Sequence, residues 1–179
     1  MPLNHTSKYA ELTEEQFALI GRVVVEWSNI EFLLGVLLSR LLFTPEFLGR
    51  VYVDEESASR VQGAIKKAVD IHRHRYGSKM VAAEILDAIL QLNADIERFR
   101  GVRNRFSHFC WSRSTDDAIF GSGLSAFVPP SRRVKKDSMT VSVTELKAIH
   151  GDAYQLVERL SEVIQGLAEV SEESCLTSA

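Results

Sequence analysis

The stretch Gly101-Val102-Arg103-Asn104-Arg105-Phe106-Ser107-His108-Phe109-Cys110-Trp111 closes what the hydrophobic pattern predicts to be a long helix. It places an arginine, an asparagine and a histidine where a helix of a bundle would ordinarily continue to pack. We therefore interpret the rest of the chain as the scaffold that presents this stretch.

Arg103 interrupts an apolar stripe of this predicted helix. The other members of the stripe recur every three or four residues, and they are Ile85, Ile89, Leu92, Ile96, Phe99, Phe106 and Cys110. An arginine at such a position needs an anionic or hydrogen-bonding partner, because an unpaired buried charge is costly. Glu31 interrupts the stripe of the first helix in the same way and is one candidate. A phosphate bound at the mouth of a cleft is the other.

A second stripe of the same helix ends in polar groups, and we predict that it forms a second buried face. Its members are Leu86, Leu90, Asn93, Glu97, Gly101, Asn104, His108 and Trp111. Asn104 and His108 are four residues apart, so the amide is expected to orient the imidazole. Arg103 is about 140° from His108 around an ideal helix. Two copies of the helix packed about a two-fold axis would therefore be needed to bring both groups to one phosphate.

Length and composition predict one globular domain. The chain has 179 residues, of which 45% are hydrophobic and 25% charged. A net charge of −3 argues against non-specific coating of nucleic acid but leaves room for a focused basic site. Two cysteines, with no zinc-ligand spacing, predict a reducing cytoplasmic location and no metal or cofactor. We also expect no membrane span and no signal peptide.

The predicted fold is all-α, an up-and-down bundle of four or five helices with a short β-hairpin or loop insertion before the last helix. The predicted elements, within a single domain 1–179, are helices at 12–43, 57–76 and 79–111, the insertion at 117–143 and the last helix at 144–170.

Capping residues in the sequence mark the starts of the first and the last helix. Capping boxes at Thr13 with Gln16 and at Ser142 with Glu145 open the first and last helices. The buried stripe predicted for the first helix begins with Phe17, Ile20, Val24 and Trp27, and the segment after Pro45 is predicted to be loose.

The residues Arg103-Asn104-Arg105-Phe106-Ser107-His108 resemble the R-x(4-6)-H motif of the HEPN superfamily, in the form with a polar residue directly after the arginine. The surroundings agree, since the motif stands near the end of a long predicted helix, with a tryptophan beyond it, an insertion and a final long helix. The resemblance implies a helical bundle that dimerises through the motif region. It also implies a metal-independent endoribonuclease of a toxin–antitoxin or defence system, with Arg103, Asn104 and His108 as catalytic residues.

Cleavage of RNA without a metal requires a base for the ribose 2′-hydroxyl, a cation for the charge on the phosphorane and an acid for the departing oxygen. A histidine can serve as base or acid, and an arginine is a natural phosphate clamp. The products would be a 2′,3′-cyclic phosphate and a 5′-hydroxyl, and DNA should be inert. The implied partners are RNA, a second copy of the chain and an antitoxin.

Further candidate substrate-binding residues are Glu31, Arg73, Arg75, Arg132 and Arg133. Arg105 falls off the core stripe, and we expect it to be solvated. Two alternatives to the ribonuclease stay open. One is a non-catalytic HEPN-like dimer that binds a nucleotide, RNA or protein, and the other is a purely structural helical dimer with a buried pair of Arg103 and Glu31.

Overall fold

The computed structural model describes residues 10–123 and 138–171. Within these ranges the chain forms five helices and three strands. They are α1 (Glu14–Leu41), α2 (Glu46–Arg50), α3 (Ala58–His74), α4 (Ala83–His108), β1 (Cys110–Thr115), β2 (Ala118–Ser122), β3 (Ser138–Ser142) and α5 (Val143–Gln165). The chain is thus mostly helical, as predicted, but it is not purely all-α, because a three-stranded antiparallel sheet stands between α4 and α5.

Both predicted capping boxes are confirmed. The Thr13 N–H donates to Gln16 Oε1 at 3.0 Å, and the Gln16 N–H donates back to Thr13 Oγ1 at 3.2 Å. At the start of α5 the Ser142 N–H donates to Glu145 Oε2 at 2.7 Å, and the Glu145 N–H donates to Ser142 Oγ at 3.1 Å. The backbone N–H of Ser142, and then its hydroxyl, lower the pKa of Glu145 because both bond its charged form. These side chains fix the first turns of α1 and α5.

The sheet has the order β1-β2-β3. Strand β2 pairs with β1 on one side, with Trp111 opposite Gly121, and with β3 on the other, with Gly121 opposite Met139. The insertion predicted at 117–143 thus contains the antiparallel pair β2 and β3. The part of the predicted insertion between them, residues 124–137, lies outside the described residues.

Three sequence predictions about the boundaries and faces of helices are wrong. Helix α4 ends at His108, and Trp111 and an exposed Cys110 belong to β1, because this stretch pairs with β2. In α1, Phe17 and Val24 are exposed, whereas Gln16 and Val23 are fully buried. The segment after Pro45 is not loose throughout, since it contains the short helix α2.

The buried face of α1 differs from the predicted one because Gln16 also bonds a turn outside the helix. Its Nε2 donates to the backbone oxygens of Thr115 at 2.9 Å and Asp116 at 3.0 Å, in the turn between β1 and β2. The same side chain therefore caps α1 and satisfies a turn. Because buried polar groups require such partners, Gln16 faces inward and Phe17 does not.

The chain divides into two compact units. Unit 1 comprises residues 1–27 and 100–154, and unit 2 comprises residues 28–99 and 155–179. Helices α1, α4 and α5 contribute to both. The single-domain assignment stays a prediction.

Unit 2 has an apolar core that contains a hydrogen-bonded pair of buried polar side chains, Gln62 and Asn93. Its fully buried large side chains include Leu34, Leu37, Ile65, Leu86, Ile89, Leu92 and Ile96. The Gln62 side chain donates to the Asn93 backbone oxygen at 2.9 Å, and the Asn93 side chain donates to the Gln62 backbone oxygen at 3.3 Å. This reciprocal pair joins α3 to α4 and fixes their register.

No helix in the described ranges is both long and apolar enough to cross a bilayer.

We expect Asp95 to stabilise the fold at neutral pH and to lose this effect in acid. Burial alone would raise its pKa, but hydrogen bonds and charge from Arg98 and from Arg159, the latter 2.9 Å away, lower the pKa overall. A lowered folded-state pKa means stabilisation that is present above the unfolded pKa and is lost as the pH falls through the folded value. We expect Asp95→Asn to reduce the free energy of unfolding by about 1 kcal/mol at pH 7, measured by urea denaturation, and by much less near pH 3.

The matched control is Glu56→Gln. It removes the exposed pair of Glu56 with Arg60 on unit 2, and we expect a change of less than about 0.5 kcal/mol. An Asp95→Asn effect that stays the same at both pH values would contradict the assignment.

Candidate functional site

The motif residues lie on the last two turns of α4, in unit 1. Arg103 is half-buried, while Asn104, Arg105 and His108 are exposed. The exposure of Arg105 agrees with its predicted solvation, and its Nη1 lies 4.0 Å from Met139 Sδ. Arg103 and Arg105 therefore differ in their exposure as well as in their position on the helix.

Arg103 is supported from two sides. Its guanidinium carbon lies 5.2 Å from the centroid of the Trp27 ring, and its Nη1 donates to Asn104 Oδ1 at 3.3 Å. Trp27 is 1% exposed, so the ring is a rigid floor for the planar guanidinium. The sequence required a partner for Arg103, and an indole face with a neighbouring amide oxygen provides it in unit 1.

His108 is an exposed residue of the site. Within the part of the chain that the structure describes, no hydrogen bond or ion pair to its ring is formed. The Asn104 oxygen is directed to Arg103 instead of His108. The expectation that Asn104 orients the imidazole is therefore not met in this structure, and the tautomer of His108 is not set by its own neighbours.

The end of α4 is fixed by Trp111. Its Nε1–H donates to the Phe106 backbone oxygen at 3.1 Å, and its ring stacks on the Phe106 ring at 5.0 Å with an angle of 20°. Phe106 is buried, so this stack anchors the turn between Arg103 and His108. Sequence reasoning placed Trp111 on the helix and missed this role, although a tryptophan three residues past a helical histidine was a visible signal.

Gly121 makes room for that tryptophan. A Cβ atom at this position would lie 2.5 Å from the Trp111 ring. We expect Gly121→Ala to lower the free energy of unfolding by about 2 kcal/mol, measured by urea denaturation, because the ring would have to move in a packed region.

Gly151→Ala is the matched control for this change. Gly151 lies inside α5, and nothing stands within 4 Å of an added Cβ. Alanine there should stabilise the protein by about 0.5–1 kcal/mol, because glycine is unfavourable inside a helix. An unchanged midpoint for Gly121→Ala would show that Trp111 is not held against β2.

The second stripe of α4 is buried at two of its N-terminal positions and exposed in its C-terminal half. Leu86 and Asn93 are buried, as predicted, but Gly101, Asn104 and His108 are exposed. Nothing lies within 4 Å of a Cβ added at Gly101. The prediction of a second buried face is thus wrong for the C-terminal half of the stripe in a single chain.

The last turns of α4 form a basic segment. From Arg98 to Thr115 the sequence contains arginines and a histidine but no aspartate or glutamate. Arg100, Arg103, Arg105 and His108 belong to unit 1. Cations near a helix C-terminus stabilise the helix dipole, and the same charges attract a polyanion. This local excess stands out against the net charge of −3 of the whole chain.

Three of the other predicted substrate residues belong to a different unit from the motif. Glu31, Arg73 and Arg75 belong to unit 2, where Arg73 forms an ion pair with Asp87 and Arg75 is exposed. Glu31 is exposed, and its pairing with Arg103 stays a prediction. Arg132 and Arg133 lie outside the described residues.

Comparison of the chain with protein-family models, with curated proteins and with solved structures finds no match.

Proposed function

We propose that this chain is a metal-independent endoribonuclease of the HEPN type that acts as a homodimer. The observation that carries the proposal is the arrangement at the end of α4. A half-buried arginine is braced on the Trp27 ring, and an exposed histidine follows it in the R-N-x3-H spacing. A rigid cation and an accessible acid–base group are what phosphodiester cleavage needs, and a second copy of the chain would bring the two together.

Each residue has a distinct role in the proposed reaction. His108 removes the proton of the ribose 2′-hydroxyl or donates one to the departing 5′-oxygen. Arg103 binds the phosphate oxygens that gain charge, and its fork is held by Trp27 below and by Asn104 Oδ1 at its side. Asn104 therefore supports the arginine, and substrate or a second chain sets the tautomer of His108.

The dimer is part of the proposal because of the angle between the two groups. The Arg103 guanidinium lies over Trp27, whereas His108 is on a different, exposed face of α4. Two HEPN-like up-and-down bundles that meet through this end of α4 would bring an arginine of one copy toward a histidine of the other. Gly101 supports this geometry, since it is exposed and leaves room for a close approach.

Gly101→Gln tests the dimer without touching the core. A Cβ atom added at Gly101 meets nothing within 4 Å in the single chain, so we expect a normal thermal transition. The dimer dissociation constant should rise at least about tenfold, since a bulky side chain would separate the two helices. Sedimentation velocity over a concentration series measures this. Gly63→Gln on α3, where space is also open, should leave the dissociation constant unchanged, and equal constants for both variants would rule out this face as the interface.

The cellular role proposed is that of a cytoplasmic toxin or defence ribonuclease, restrained by an antitoxin. Expression of the wild type is expected to arrest growth and degrade cellular RNA, and His108→Ala at equal abundance is expected to do neither. A wild type that leaves growth and RNA unaffected would count against the ribonuclease.

A second candidate is a HEPN-like dimer that binds RNA, a nucleotide or a protein without cleaving. The observation in its favour is the His108 ring, which receives no hydrogen bond from the described residues. Binding of a labelled RNA, followed by fluorescence anisotropy, with the RNA recovered intact would select this candidate.

A further inference from the structure

The short helix α2 and the turns after it bury a glycine and expose their large apolar side chains. Gly49 is buried, whereas Phe47 is 72% exposed and Leu48 is 60% exposed. Beyond the helix, Val51 is 72% exposed and Tyr52 is 66% exposed. A surface helix ordinarily turns its apolar side chains towards the core. We call these four exposed side chains the α2 patch.

The orientation of the α2 patch is fixed by the contact of α2 with α1, within unit 2. A Cβ atom at Gly49 would lie 2.6 Å from the Cβ atom of Ser39, so only a glycine allows this close approach. At the start of α2, Arg40 Nη2 donates to Glu46 Oε1 at 2.7 Å. The patch therefore cannot turn inward without opening these contacts.

Charges of both signs border the α2 patch. Arg50 lies within the same segment, and its guanidinium carbon is 4.3 Å from the centroid of the Phe32 ring. Asp54 and Glu55 follow the patch in the chain and are exposed. In the part of the chain that the structure describes, Arg50, Asp54 and Glu55 form no ion pair. All three charges are thus available to a partner.

The size and the charge of the patch narrow the choice of partner. The four side chains expose on the order of 500 Å², which is large for an apolar patch on a monomer. Two acidic groups at its border disfavour RNA and anionic lipid surfaces. Two such patches that face each other would bury about 1,000 Å², the area at which specific protein interfaces begin.

We propose that the α2 patch is an interface between two copies of this chain related by a two-fold axis. In such an interface every contact occurs twice. Arg50 of one copy meets Asp54 or Glu55 of the other, and the apolar side chains pack between these pairs. A border that carries both signs is complementary to itself. The patch belongs to unit 2, so this interface does not depend on the proposed ribonuclease.

Sedimentation velocity of the full chain over a concentration series tests the interface. Gly101→Gln protein is measured beside the wild type, so that association through the end of α4 does not mask association through α2. We expect the Gly101→Gln protein to dimerise with a dissociation constant on the order of 10 μM. Adding Val51→Glu should raise this constant at least about hundredfold, because an unpaired charge would be buried in the interface.

Ile71→Glu is the matched control for Val51→Glu. Ile71 is also an exposed apolar residue of unit 2, 52% exposed on α3, and its replacement should change the dissociation constant less than about twofold. Circular dichroism reports whether each variant is folded.

Charge reversal tests whether the partner is a second copy. In the Gly101→Gln protein, Arg50→Glu should raise the dissociation constant about tenfold, since like charges then meet across the interface. Adding Asp54→Lys and Glu55→Lys to the same chain should restore the original constant, because the reversed charges are again complementary about a two-fold axis. If Val51→Glu does not fold, this pair of variants decides the matter.

A wild type that is dimeric while Gly101→Gln is monomeric would support the α4 interface and overturn this one. A dimer that Gly101→Gln leaves intact and Val51→Glu dissociates would do the reverse. Equal effects of Val51→Glu and Ile71→Glu in folded proteins would also overturn the α2 interface. A charge-reversed protein that stays dissociated would overturn the pairing of Arg50 with the acidic residues of a second copy.

Discussion

Replacement of His108 by alanine is expected to reduce the rate of RNA cleavage by about 10²–10⁴-fold, because the reaction loses its general acid–base group. The side chain is exposed and makes no bond to the described residues, so its removal should leave the fold intact. Single-turnover cleavage of a labelled RNA, with protein in excess, measures the chemical step. Urea denaturation of the same sample should give a wild-type free energy of unfolding.

His74→Ala is the matched control for this variant. His74 is also an exposed histidine, at the last position of α3, and its loss should change the cleavage rate less than about twofold, since surface substitutions away from a site have small effects. A His108→Ala protein that cleaves at the wild-type rate would remove His108 from the chemistry.

Replacement of Arg103 by alanine is expected to lower kcat/KM for RNA by about 10²–10³-fold, because the charge that develops on the phosphate loses its cation. Arg103→Lys should restore only part of the activity, since an ammonium lacks the planar fork that lies on the Trp27 ring. Titrating the rate against RNA concentration for the three proteins separates weaker binding from slower chemistry.

Arg105→Ala is the control for a general loss of positive charge. Arg105 is exposed and stands two residues from Arg103. Its removal should weaken RNA binding modestly and reduce the dependence of the RNA binding constant on salt concentration, without abolishing cleavage. Equal losses for Arg103→Ala and Arg105→Ala would mean that the end of α4 acts only as a basic surface. If Arg103→Lys had the full wild-type kcat/KM while Arg103→Ala had lost it, the planar fork of the guanidinium would have no role.

The helix starts were predictable because their signals are local. Thr13 with Gln16 and Ser142 with Glu145 make the predicted reciprocal bonds within four residues of sequence. The end of α4 was not predictable in this way. Phe106 and Cys110 keep the spacing of a helical stripe, and only the pairing of Trp111 with Gly121 across the sheet converts the last part into a strand.

The candidate site was predictable in its residues and less so in its partners. The apolar stripe of α4 showed that Arg103 needs a partner, and Trp27 and Asn104 fill that need in unit 1. Glu31, which breaks the stripe of α1, stays a predicted partner as well, because periodicity alone cannot rank a glutamate and a tryptophan on the same helix. The face of α1 also depended on Gln16, whose partners lie about 100 residues away.

The chemistry of the RNA ends is the most direct measurement of the proposed function. Purified wild-type protein is incubated with a defined RNA and with DNA of the same sequence, in the presence of EDTA, and the termini of all products are mapped. The proposed mechanism uses the 2′-hydroxyl, so RNA should be cut to 2′,3′-cyclic phosphate and 5′-hydroxyl ends while DNA stays intact. Intact RNA, cleaved DNA, or RNA ends that carry a 3′-hydroxyl and a 5′-phosphate would contradict a HEPN-type ribonuclease.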